Sequence, residues 1–104
     1  MKFHHVGIPA TQARPGEAFL EGAKLWVTDV AASPYQIEWL RFEDGSPMPE
    51  ELKTQPHLAF EVDDVQAAMA GKTVLIEPFV PMPGVLVGFI TDGGAVIEFM
   101  QKTA

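Results

Sequence analysis

The chain contains no cysteine. Disulfides, iron–sulfur clusters and thiolate metal sites are therefore excluded, and any metal must be held by nitrogen and oxygen. Cations are scarce: 7 Lys and Arg stand against 14 Asp and Glu, for a net charge of −7. That balance makes nucleic acid and anionic membrane surfaces poor partners. No apolar run approaches the ~20 residues that a bilayer span needs. The first residues also lack the charged-then-apolar pattern of a secretory signal, so a cytoplasmic location is expected. At 104 residues, 47% of them hydrophobic, the chain suffices for a single packed domain over 1–104 but not for two. The remaining partner classes are a small molecule or another protein.

Period-two alternation and β-branched content mark most of the chain as strand. "KFHHVGI" reads as the first strand, and "KLWVTDV" and "YQIEWLRFE" as two more, joined by the turn-prone "AASP". Between the first and second, "ATQARPGEAFLEGA" is broken at Pro15 and Gly16 and leaves room for about two helical turns. Residues 44–55, "DGSPMPEELKTQ", carry two prolines, a glycine and charges, and read as a linker. Strand "HLAFEV" follows, then a short helix in "DDVQAAMAGK" capped by Asp63 or Asp64 and ended at Gly71. Strands "TVLIEPF", "GVLVGFI" and "AVIEFMQ" complete the chain, with "PMPG" and "TDGG" as turns. The second module, 56–104, is thus strand, helix, three strands. The first, 1–43, reads as a reduced copy with an eroded helix and one strand fewer.

The duplication shows in residues as well as elements. "HHVGI" matches "PHLAF" as a histidine followed by apolar, small and apolar residues. "VTDVAASPYQIEWLRF" matches "FITDGGAVIEFMQ" as Thr-Asp, a turn, then Ile-Glu-aromatic. Both phrases recur in the same order, which favours an internal repeat. Strict alternation puts Phe3, His5 and Gly7 on one face of the first strand, with His4, Val6 and Ile8 on the other. His57 shares its face with Ala59 and Glu61; Leu58, Phe60 and Val62 form the side that the next helix should cover. Glu38 and Glu98 sit mid-strand on faces otherwise largely apolar, where a carboxylate needs a compensating charge. Two imidazoles and two carboxylates make a donor set suited to Zn²⁺, Ni²⁺, Co²⁺, Fe²⁺ or Mn²⁺, and ligand type does not choose among these. The plain alternatives are a solvated strand face, and a Glu38 paired with Arg41 or a cross-strand lysine.

"HHVGI", "IEWLRF", "HLAFEVDD" and "TDGGAVIEFMQ" together resemble the vicinal oxygen chelate superfamily, which includes glyoxalase I, methylmalonyl-CoA epimerase, extradiol dioxygenases and bleomycin-resistance proteins. The resemblance spans nearly the whole chain. It implies an α+β fold of two βαβββ-type modules whose sheets curve into a partly open cleft with a metal on its floor. By position it implies His5, Glu38, His57 and Glu98 as the metal ligands, as in metal-dependent glyoxalases, with Glu98 or Glu38 as the catalytic base. A homodimer is expected by the same likeness. A dioxygenase is disfavoured, because it needs a further acid–base residue and alternation turns His4 and Tyr35 away from the ligand face. Known relatives bind anionic glutathione or CoA conjugates, for which the scattered cations of this chain form no evident site.

Three readings follow. The first is a metal-dependent isomerase or lyase that moves a proton next to a carbonyl on a small substrate. The second is a non-catalytic, bleomycin-resistance-like binding protein. The third is a metal-stabilised structural domain.

Overall fold

Alternation is realised in eight strands and two short helices: β1 Lys2–Pro9, β2 Ala18–Leu20, β3 Leu25–Val27, β4 Ile37–Phe42, α1 Glu50–Thr54, β5 His57–Glu61, α2 Val65–Met69, β6 Thr73–Met82, β7 Val85–Asp92 and β8 Ala95–Lys102. This computed structural model describes residues 1–103; Ala104, the end of the second module, lies outside the described residues. All eight strands form one sheet in the order β2-β3-β4-β1-β5-β8-β7-β6. β1 and β5 pair antiparallel at the centre, β1 runs parallel to β4, and β5 runs parallel to β8. From that centre outward the two halves repeat the same plan. The sheet curls strongly, since Leu20 and Phe79, from its two opposite edge strands, line one cavity.

The first module is therefore not a strand short. The missing strand is β2, inside the segment read as an eroded helix, and among the described residues no helix stands between β1 and β2. Ala18, Phe19 and Leu20 pair with Val27, Trp26 and Leu25, and the Phe19 and Trp26 rings lie 4.8 Å apart. Three residues are too few to show a period. Cross-strand pairing, rather than any local signal, makes this segment a strand.

The segment read as a linker carries α1, whose Leu52 is 2% exposed in a core cluster with Val87, Phe89 and Val96. Ser46 is also buried there and donates to the Ala23 carbonyl at 2.6 Å. A second cluster, Ala23, Leu25, Val27 and Leu40, belongs to the first module. Both clusters supply residues to the concave face. The third, Val65, Met69, Ile90 and Phe99, lies under α2 on the convex face. Asp64 proves to be the cap of α2, its carboxylate accepting from the Ala67 N–H at 3.1 Å. The helix sits so close to β7 that a Cβ at Gly88 would overlap the Met69 sulfur. No helix among the described residues is long and apolar enough to cross a membrane.

Candidate metal centre

β4, β1, β5 and β8 are neighbours in that order, and their registers lay two rows of residues across the concave face. In one row Glu38 lies beside Gly7, and Gly7 opposite His57. In the other, His5 lies opposite Ala59, and Ala59 beside Glu98. Each row thus places a small residue between two long polar ones, which leaves room for their heads to converge. A Cβ at Gly7 would overlap the His57 ring, and Ala59 is wholly buried. The small residues in "HHVGI" and "HLAFE" are the floor on which the imidazoles and carboxylates meet.

The convergence is close. His5 Nε2 lies 3.4 Å from Glu38 Oε1 and 3.5 Å from Glu98 Oε1, while His57 Nε2 and Glu98 Oε1 are 3.0 Å apart. The two imidazoles stand nearly perpendicular, 5.7 Å between centroids. His5 and His57 are each 2% exposed and Glu98 is 7% exposed; Glu38 is half-buried. At 3.4 and 3.5 Å the His5 contacts are attractive without being well-made hydrogen bonds. Its Nε2 is accordingly buried without a hydrogen-bond partner, as is Nδ1 of His57.

Charge explains what such a site calls for. Burial depresses the pKa of His5, but the Glu38 and Glu98 carboxylates outweigh it and hold the imidazole at about 9. Burial pushes Glu98 up, and the adjacent His5 and His57 imidazoles pull it down further still, to about 2. With no metal, a proton on His5 supplies the positive charge that the carboxylates require. One ligand atom each from His5, Glu38 and His57 lie within 4.8 Å of one another, so the buried group could hold a metal ion in the place of that proton. Nitrogen and oxygen donors in this number fit a borderline divalent ion.

Two cavities meet at this cluster. An inner one of about 100 Å³ touches all four polar residues and is otherwise walled by apolar side chains. An outer one of about 400 Å³ opens past His4, Asp29, Glu61 and Lys102, and shares His5 and Glu38 with the first.

Strict alternation fails at His4. Phe3 lies opposite Phe60 but His5 lies opposite Ala59, so β1 carries one extra residue against β5, a β-bulge. Phe3 is thereby parted from His5 and Gly7, and its ring packs on Phe60 at 5.8 Å. His4, expected on the opposite face, turns to the side of His5, with their Nδ1 atoms 2.7 Å apart. Its Nε2 lies 3.9 Å from Glu61 Oε1. His4 is the site residue that sequence reasoning missed, and only the doubled histidine of "FHHV" hinted at it. The case against a dioxygenase, so far as it rested on the face of His4, has no support here. Tyr35 is 77% exposed.

No protein-family model matches the chain, and no curated protein matches it. Solved structures do. The sheet order, the curled cleft and these matches give the chain the vicinal oxygen chelate fold. One match is a hypothetical protein from Bacillus halodurans C-125, with a TM-score of 0.71, 19% identity, and coverage of 99% of this chain and 95% of the other. Another is methylmalonyl-CoA epimerase from Mycobacterium tuberculosis, with a TM-score of 0.68, 20% identity, and coverage of 99% and 89%.

Proposed function

We propose that the chain is a divalent-metal-dependent isomerase of the epimerase and glyoxalase kind, moving a proton next to a carbonyl on a small substrate. The observation that carries this reading is the buried convergence of His5, Glu38, His57 and Glu98 at the junction of two cavities. The fold shared with an epimerase supports it. His5 and His57 would present Nε2 as ligands, with the two glutamates completing the set. His5 would keep its proton on Nδ1 and donate it to His4 Nδ1, a contact that holds the ring in place. Bound there, a divalent ion (Zn, Ni, Co, Fe or Mn) supplies Lewis acidity to a carbonyl oxygen of the substrate.

The base must reach the substrate. Glu98 is held by His57 at 3.0 Å and does not line the outer cavity, whereas Glu38 is less buried and faces both cavities. On this reading Glu38 would lean out of the ligand set to accept the proton, and Glu98 would stay as ligand.

Elemental analysis of protein made without a histidine tag tests the reading. Wild type should carry metal near one ion per chain, and His57→Ala and Glu98→Gln should lose it. Glu38→Gln should lose exchange of the substrate's α-proton into deuterated water over a panel of hydroxyketones, ketoaldehyde hemithioacetals and acyl thioesters. A wild type that is metal-free and takes up none of the five offered ions would sink the enzyme reading. The cleft would then be a ligand-binding pocket of the bleomycin-resistance kind.

A further inference from the structure

We infer that the substrate of this site is an uncharged carbonyl compound with a short apolar arm, and not a glutathione or CoA conjugate. The inference rests on the metal-site reading above and adds the substrate class to it.

The inner cavity decides what the arm can be. Past the four polar residues its walls include Leu25, Leu40, Leu52, Val87 and Phe89, and among the described residues no lysine or arginine lines it. Its volume of about 100 Å³ holds an arm of a few non-hydrogen atoms, on the scale of a short alkyl group. Any charge or unpaired polar group placed there is stripped of water without compensation. With the reacting end at the metal ligands, this apolar-walled space beside them is where the apolar end fits.

The outer cavity decides what the rest of the molecule cannot be. Beyond the ligand Glu38, its rim carries the carboxylates of Asp29 and Glu61 against a single lysine, Lys102. The Lys102 side chain is 79% exposed and lies 4.0 Å from Glu61. Phosphates and peptide carboxylates are gripped by converging cations, preferably arginine forks, and both arginines here are engaged elsewhere. Arg41 makes two hydrogen bonds to Glu17, and Arg14 lies over the Trp39 ring. Lys53 donates to the Ser46 carbonyl. An anionic tail would meet a rim of its own sign and gain no clamp, which is selection by repulsion as much as by fit.

The test uses bidentate hydroxamates titrated by calorimetry into zinc-loaded protein: acetohydroxamate, butyrohydroxamate, benzohydroxamate and the hydroxamate of succinic acid, whose arm ends in a carboxylate. Affinity should rise roughly fourfold per added methylene from the acetyl to the butyryl compound. The succinyl compound should bind at least tenfold more weakly than the butyryl one. Met82 lines both cavities and is 44% exposed, so Met82→Lys adds a cation at the junction without opening the core. It should move the preference at least tenfold toward the succinyl compound. Equal affinities along the series, a preference of wild type for the carboxylate arm, or no shift in the lysine variant would each overturn the inference and leave the metal site standing. Failure of every hydroxamate to bind would overturn both.

Discussion

The second module covers its convex face with a helix, while the first does so with planar side chains. Over β7 and β8, α2 sets Val65 and Met69 against Ile90 and Phe99, all four buried. On the other half the irregular segment 10–17 takes the helix's place. Arg14 lies 3.7 Å above the Trp39 ring, and Glu17 receives two hydrogen bonds from Arg41, at 3.0 and 2.7 Å. Trp26 continues this layer between Arg41 and Phe19. On the concave side the difference vanishes: each module contributes one histidine, one glutamate and one small residue in equivalent register. Placement of the site therefore depends on strand register and is indifferent to what covers the back of the sheet.

That comparison is broken most forcefully at the helix. Met69→Ala removes a side chain that is 5% exposed and fills the space over Gly88, so it should cost about 2–5 kcal/mol in denaturant unfolding. Metal stoichiometry should stay at the wild-type value. A loss of metal at full occupancy of the folded state would show that the back of the sheet does reach the site.

A pair of exchanges on the concave face sharpens it further. Gly7 and Ala59 are equivalent in the repeat, but the His57 ring leaves no room for a Cβ at Gly7, whereas Ala59 already carries one opposite His5. Gly7→Ala should displace the His57 ring, destabilise by about 1–3 kcal/mol through overpacking, and weaken zinc binding. Ala59→Gly should cost about 0.5–1 kcal/mol through backbone freedom and leave zinc binding near wild type. Equal effects on zinc binding would refute the role given to the row Glu38–Gly7–His57.

The strands and the four polar residues were legible because each strand of the second module is long enough to show alternation and because the His and Glu phrases occur twice. Features that escaped share a physical cause: they are shorter than the period used to find them, or they interrupt it. β2 has three residues and exists through its pairing with β3. α1 has five residues behind Pro49, and only Leu52 among them faces the core. One inserted residue at His4 reverses the parity of everything before it. Leu58, assigned to the helix-covered side, is 41% exposed, because α2 spans five residues and reaches Phe60 and Val62 only.

Protons sharpen the view that a cation belongs at the site. In the metal-free protein His5 stays protonated to about pH 9, above its ordinary value of 6.5. Its contribution to stability is therefore complete below pH 6.5 and lost as pH rises through about 9. Glu98 is depressed to about 2, so its contribution is complete above pH 4.5 and lost as pH falls toward 2. Between these limits metal uptake must expel one proton from His5 while Glu98 is already ionised. Zinc affinity should thus rise about tenfold per pH unit toward pH 9, with one proton released per ion in calorimetry across buffers of different ionisation enthalpy. A flat pH dependence would mean that zinc does not displace the His5 proton.

The smallest expected effect lies in the layer that replaces the first helix. Arg14 covers Trp39 from an exposed loop, and such a contact contributes about 0.5–1 kcal/mol. Arg14→Ala should therefore cost no more than about 1 kcal/mol, well below Met69→Ala, and should leave metal binding and hydroxamate order unchanged. A cost equal to that of Met69→Ala would make the cation layer a full substitute for the helix. The small value expected means instead that the first module draws most of its support from elsewhere. Continuity with β5 through β1 supplies part of it, and the concave cluster of Ala23, Leu25, Val27 and Leu40 supplies the rest. On that view the first half can lose its helix and still hold His5 and Glu38, because the second half holds β1 in register.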